Sequence, residues 1–164
     1  MNVRLAERRD QEAWERVWNE SARAGFTELL PDGHEFPEPD RGRWLELFED
    51  PAVSQVLVEE DGELFGISTC GESRDDDVDD SVGEIRAFFV APGSWGRGVG
   101  RALMDGALES LRERGYGTAT VWSFTANERS NAFYEALGFT RDGAEDSTGE
   151  AWADVPGIRY RRSL

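Results

Sequence analysis

The chain has 164 residues, 34 acidic against 18 basic, for a formal net charge of −16 and a pI near 4.4. Hydrophobic residues make up 38% and aromatics 11%, enough for a core, which excludes wholesale disorder; the length fits a single domain spanning 1–164. The acidity excludes broad binding to nucleic acid or anionic membrane, whose phosphates it would repel. No apolar run reaches the roughly 18–20 residues needed to cross a bilayer, and the charged N-terminus does not read as a signal peptide, so a cytoplasmic protein is expected. The single cysteine, Cys70, excludes an internal disulfide and a multi-cysteine metal site, and no metal is expected. All 18 basic residues are arginine. Dense carboxylate without lysine suits a salt-rich cytoplasm, where acidic surface keeps protein hydrated, as in a halophile. Arginine-biased codon usage would account for the missing lysine but not for the excess acid.

In chain order, Val3–Ala6 alternates like a short strand, and Asp10 is placed to cap a helix carrying Trp14, Val17, Trp18 and Ala22 at helical spacing. Trp14 and Trp18 read as core. Leu30–Pro39 is a proline-rich loop holding the only histidine, His34, and Arg43–Phe48 reads as a short helix. Val53–Glu60 and Glu63–Cys70 are strand-like runs joined at Asp61-Gly62, a strong hairpin signal. The acidic run Asp75–Asp80 reads as a solvated loop rather than a cation site. Val82–Val90 is a strand, Gly96–Arg114 a helix ending before Gly115, Thr118–Thr125 a strand, and Asn127 caps a helix running to Gly138. Weaker strands start at Phe139 and near Gly157–Arg162. Strand–helix alternation after Val82, with antiparallel pairs before and after it, gives an α/β (α+β) chain with a mixed sheet.

The most informative stretch is Val90-Ala91-Pro92-Gly93-Ser94-Trp95-Gly96-Arg97-Gly98-Val99-Gly100-Arg101, between a strand and a helix. Alternate glycines let several main-chain N–H groups converge on an anion at the positive end of a helix, and Arg97 and Arg101 add charge in an otherwise acidic chain. A phosphorylated ligand is the expectation; a turn that merely lets strand and helix pack closely is the alternative. A Walker loop is excluded, because Val99-Gly100 stand where Lys-Ser/Thr would follow Gly98. The dinucleotide fingerprint fails at Leu103, where its third glycine belongs.

The pattern V-x-P-x-x-x-G-x-G-x-G-x-x-L, from Val90 to Leu103, resembles the acetyl-CoA loop of the GCN5-related N-acetyltransferase (GNAT) superfamily. Asn127 to Phe139 resembles its second signature, N-x-x-A/S-x-x-x-Y-x-x-x-G-F. The two motifs lie within Val82–Phe139, a little over a third of the chain. One departure is Trp95, where the family often carries Gln or Arg. The resemblance implies a single-domain, mostly antiparallel sheet of six or seven strands, with splayed central strands and flanking helices. It implies transfer of an acetyl group from acetyl-CoA to a primary amine by direct attack. Gly96, Arg97, Gly98, Val99, Gly100 and Arg101 would hold the pyrophosphate. The backbone of Phe88, Phe89 and Val90 would pair with the pantetheine amides at an edge opened by a bulge.

Attack needs a neutral amine, hence a base. Glu84, eleven residues before Trp95, has the spacing of the catalytic glutamate in histone-modifying members; an exposed strand carboxylate is the alternative. Tyr134 falls on the family's motif tyrosine, facing the cofactor sulfur, where a phenol can assist the departing thiolate; core filling is the alternative. Asn127 is a cofactor contact, an N-cap, or both. Trp122 faces either core or cleft, and Cys70 reads as packing. The acceptor, a small-molecule or peptide amine, is not legible, although Asp32, Glu35, Glu38 and Asp40 could attract a cation. A non-catalytic CoA-binding or partner-binding module and a protein N-terminal acetyltransferase are the alternative functions. Pairing of two copies through a sheet edge or an exchanged strand is compatible with this fold.

Overall fold

A computed structural model describes residues 1–38 and 40–164; Pro39, at the end of the expected loop, lies outside the described residues. The elements run β1 (Asn2–Leu5), α1 (Gln11–Phe26), α2 (Arg41–Glu49), β2 (Val53–Glu60), β3 (Glu63–Glu72), β4 (Val82–Val90), α3 (Val99–Glu113), β5 (Thr118–Phe124), α4 (Glu128–Ala136), β6 (Thr140–Ser147) and β7 (Pro156–Ser163). The seven strands form one sheet in the order β1-β2-β3-β4-β5-β7-β6. Only β4 and β5 run parallel; the other pairs are antiparallel.

Side-chain alternation sorts the core onto two faces of this sheet. On β2, Val56 and Val58 join the cluster under α3 and α4 with Leu103, Met104, Leu108 and Phe139, while Leu57 joins Trp14, Val17 and Ile67 under α1. The helical spacing of Trp14, Val17, Ser21 and Ala22 buries one stripe of α1. α3 lies so close to the sheet that a Cβ on Gly106 would come within 2.5 Å of Val3 Cγ1. The Asp61-Gly62 hairpin has both residues at positive φ, 52° and 82°, the conformation of the tightest two-residue hairpin turn.

Three local expectations are corrected. Asp10 stands at the N-cap position of α1 but makes no side-chain capping bond to it; its carboxylate accepts Glu7 N–H at 2.7 Å and a forked pair from Arg4 at 2.7 and 2.9 Å, closing the turn before the helix. The second helix starts earlier, at Arg41, because Asp40 accepts Arg43 N–H at 2.9 Å. The third helix starts later, at Val99, because Gly96 and Gly98 take positive φ, 74° and 86°, which breaks the helix path. Among the described residues, no helix is long and apolar enough to cross a membrane.

Candidate active site

β4 and β5 pair only from Val82–Thr118 to Ile85–Val121; beyond that, the last five residues of β4 part from β5. The cause lies on the opposite side of β4. Its register with β3 steps from Cys70–Ile85 to Thr69–Ala87, so Arg86 is an extra residue, a bulge that bends the strand away from its neighbour. After the bulge, Ala91 N–H bonds Phe65 O at 2.8 Å. By strand alternation, Phe89 then spends its main-chain groups on β3, while those of Phe88 and Val90 face the gap. The expected open edge therefore consists of Phe88 and Val90. Phe89 instead turns its ring toward α1, with Trp18 at 6.2 Å and Phe26 at 6.0 Å between centroids.

The gap widens into an open cleft of about 630 Å³ whose walls include Glu84, Phe88, Trp95, Trp122, Asn127 and Tyr134. At one end stands the glycine-rich turn. Among the described residues, the main-chain N–H groups of Gly98, Val99, Gly100 and Arg101 meet no acceptor, and the first bond closing α3 is Ala102 N–H to Gly98 O at 3.1 Å. A Cβ on Gly96 or Gly98 would meet nothing within 4 Å, so the turn opens onto free space. Four free N–H groups at the positive end of a fifteen-residue helix make an anion cradle. Arg97 and Arg101 stand beside it, and neither forms an ion pair among the described residues. Trp95 turns back on its own strand: its indole N–H donates to Val90 O at 2.8 Å, and Arg129 lies over its ring at 3.9 Å. The tryptophan thus occupies one of the two carbonyls that face the gap.

α4 supplies the opposite wall. Asn127 accepts Ser130 N–H at 3.2 Å, the expected N-cap, while also lining the cleft. Tyr134 is 5% exposed and packs edge-on to Phe88 at 6.4 Å. Burial, with Tyr160 close by, pushes its phenol above the usual range, so the hydroxyl keeps its proton at neutral pH.

Glu84 is not an exposed strand carboxylate: it is 3% exposed. It accepts Arg74 Nη2–H at 2.7 Å, Nε–H at 3.1 Å and main-chain N–H at 3.1 Å. A carboxylate offers about four lone-pair positions, which leaves one for a group in the cleft. The Arg74 guanidinium, held by Glu84, rises above its ordinary range.

Several residues depart from expectation. The acidic run is a loop whose Asp76, Asp77, Asp79 and Asp80 are exposed, as expected, but it is pinned rather than free. Arg159 of β7, 4% exposed, binds Asp75 at 3.0 Å, Asp77 at 2.6 Å and Asp142 at 2.7 Å, and Trp122 donates its indole N–H to Asp75 at 3.1 Å. Trp122 therefore faces the cleft. Trp18 is half-buried, packing against the core under α1 while also lining a smaller cavity beside the cleft. Asp32, Glu35, Glu38 and Asp40 line neither the cleft nor the smaller cavity beside it. His34 is within 3.1 Å of Ala151 O, tying its loop to the β6–β7 connection. Cys70 is fully buried, and burial pushes its thiol up to about 11, the environment of a packing residue. Arg159 and the Arg86 bulge escape sequence reading, since each acts through partners distant in the chain. Among the described residues, no group of three His, Cys, Asp or Glu side chains is arranged to hold a metal.

A mycothiol acetyltransferase from Cellulomonas flavigena is 33% identical over 90% of this chain, which spans 42% of that protein. The chain thus covers about two fifths of the length of the curated mycothiol acetyltransferases it matches. An uncharacterized N-acetyltransferase from Archaeoglobus fulgidus is 30% identical over 86% of this chain and 94% of its own. The fold matches the PaiA N-acetyltransferase from Thermoplasma acidophilum, solved with coenzyme A, at a TM-score of 0.79 and 14% identity, over 99% of this chain and 98% of that one. The split strands and the glycine turn fall inside residues 13–139, which match the family model described as the acetyltransferase (GNAT) family, and the chain belongs to that family.

Proposed function

We propose that the chain transfers an acetyl group from acetyl-CoA to a primary amine by direct attack. The observation that carries this reading is the strand split ending at four unpaired N–H groups: an open peptide edge leading into an anion cradle suits a ligand with amides at one end and a diphosphate at the other. Gly98, Val99, Gly100 and Arg101 would hold the diphosphate, with Arg97 and Arg129 close to it, and the main chain of Phe88 and the N–H of Val90, whose carbonyl Trp95 occupies, would receive the pantetheine amides. Asn127 and the cleft face of α4 would close the other side.

The bound coenzyme would supply an activated thioester, and the N–C bond would form as the C–S bond breaks. An amine with a pKa near 10 must lose a proton to attack. Glu84, with one acceptor position left at the cleft floor, would take that proton directly or through water. Tyr134 would donate a hydrogen bond to the departing sulfur. Because its phenol is raised above the ordinary range, complete transfer to a thiolate of pKa about 8.5 is uphill; stabilisation by a hydrogen bond is the role that fits.

Two measurements test the proposal. Calorimetric titration with coenzyme A is expected to show one site per chain, and thiol release from acetyl-CoA is expected only when an amine is supplied. Absence of coenzyme binding would overturn the reading. Binding without amine-dependent thiol release would make the chain a binding module instead.

A further inference from the structure

Beside the cleft, on the α1 face of the sheet, lies a second cavity of about 140 Å³. Arg74, Arg86, Ala87 and Phe89 line both spaces, so the cavity adjoins the cleft at the strand split. Trp14, Trp18 and Trp44 form its apolar wall, and Arg43, Arg74 and Arg86 bring three guanidinium-bearing side chains to it. Among the described residues, no aspartate or glutamate lines it, although the chain holds 34 of them against 18 arginines. Arg43 and Arg86 have no ion-pair partner among the described residues.

Arg86 is also the bulged residue of β4. The bulge sets Arg86 and Ala87 on the same face, so the guanidinium comes to the α1 side just where the strands part. One of its nitrogens, Nη2, donates to Glu72 O at 2.7 Å, while its Nε–H is buried with no acceptor. A buried charged donor without an acceptor is costly and calls for a partner, and guanidinium groups match carboxylates in shape and charge.

We infer that the acceptor is an amine that itself carries a carboxylate beside an apolar group, an apolar α-amino acid, with Arg86 and Arg43 binding the carboxylate and the tryptophans receiving the side chain. This rests on the transferase reading for the fate of the amine, but not for the carboxylate site. Because Arg86 borders both spaces, a carboxylate held there leaves an amine one carbon away at the mouth of the split. A zwitterion carries no net charge, so the acidic surface does not repel it.

The test pairs L-phenylalanine and L-methionine with their amides and with the decarboxylated amines. Calorimetry on the chain without coenzyme is expected to show the acids binding at least about ten-fold tighter than the amides. That ratio is expected to fall to within about two-fold of unity in Arg86→Gln and in Arg43→Gln, the latter at an exposed helix position that leaves the fold intact, and to survive in part in Arg86→Lys. Equal affinity for acid and amide, no binding by any acid, or a preference untouched by both glutamine variants would overturn the inference. Thiol release from acetyl-CoA with the same panel separates the two readings. Arginine-dependent binding of the acids without thiol release sinks the transferase while the carboxylate site stands. Release that follows amide and amine as readily as acid leaves the transferase and removes the site.

Discussion

At the cradle end of the cleft, twelve consecutive residues, Val90–Arg101, supply the strand edge, the turn and the helix start, and the groups that matter there are main-chain N–H and C=O. At the opposite end, α1, α2, β3, β4 and the loop after β3 each contribute one or more residues to the tryptophan–arginine cavity. The difference teaches what each end can tolerate. A main-chain cradle depends on backbone conformation and is indifferent to most side-chain changes. A side-chain pocket is rewritten by single substitutions while the sheet stays the same, so one scaffold can keep a coenzyme and change its acceptor.

The largest expected effect lies where the two ends meet. Glu84→Gln removes the proposed base and one partner of the Arg74 ion pair, and turnover is expected to fall by about 100-fold or more, with the limb of the pH–rate profile lowered and moved to more alkaline pH. Coenzyme affinity should hold, and an unaltered pH profile would assign the proton to water or another group. Next comes Gly98→Val. A β-branched residue at a φ of 86° forces the turn to shift and misdirects the N–H groups that follow it. Coenzyme A affinity is expected to drop at least about ten-fold, since each charge-assisted bond lost is large, while binding of an acceptor measured without coenzyme stays within two-fold. Equal losses at both ends would mean that the ends are not independent. Tyr134→Phe is expected to lower turnover about ten-fold at unchanged coenzyme affinity, the pattern of an interaction made in the transition state. Because burial raises the phenol, it stays protonated through and beyond neutral pH, so wild type and variant should share the same alkaline limb; a limb lost in the variant would mean that the tyrosine does titrate.

The same contrast explains what could be read in advance. The glycine turn, the hairpin at Asp61-Gly62 and the strand order around Val82–Phe124 are local: glycine at positive φ, side-chain period and caps all act within a few residues. The splay was expected from family resemblance, but the residue that causes it, Arg86, looks in sequence like any exposed arginine in a strand. Nothing local marks it as an extra residue, because a bulge is a mismatch between two strands and is defined by β3 as much as by β4. Arg159 is hidden for a similar reason. Its three carboxylates lie 84, 82 and 17 residues away, and Asp75 and Asp77 sit in a run whose composition reads as solvent-facing. Asp32, Glu35, Glu38 and Asp40 show the opposite difficulty, since carboxylates abundant everywhere carry no positional information.

The smallest effect expected sharpens the comparison on the side-chain end. Arg159 holds the acidic loop against β7 through Asp75, Asp77 and Asp142, whose side chains are 19%, 62% and 12% exposed. Asp77 is the outermost, and the water around its exposed carboxylate screens its attraction to the buried Arg159. Asp77→Asn leaves Arg159 two carboxylates, so the melting temperature is expected to fall by no more than about 2 °C, while limited proteolysis within Ser73–Ser81 becomes measurably faster. The sign with pH follows from Arg159, whose hydrogen bond lowers the Asp77 carboxyl below its usual value. What the pair contributes is present above the ordinary carboxylate range and is lost as pH falls below that range through the lowered value of Asp77. Wild type and variant should therefore differ at neutral pH and converge only in acid, below the lowered value of the Asp77 carboxyl. Coenzyme A affinity at neutral pH should be the same in both, because the cradle shares no side chain with this loop. A variant that weakened coenzyme binding as much as it loosened the loop would show that closing the acidic loop also sets the width of the strand split.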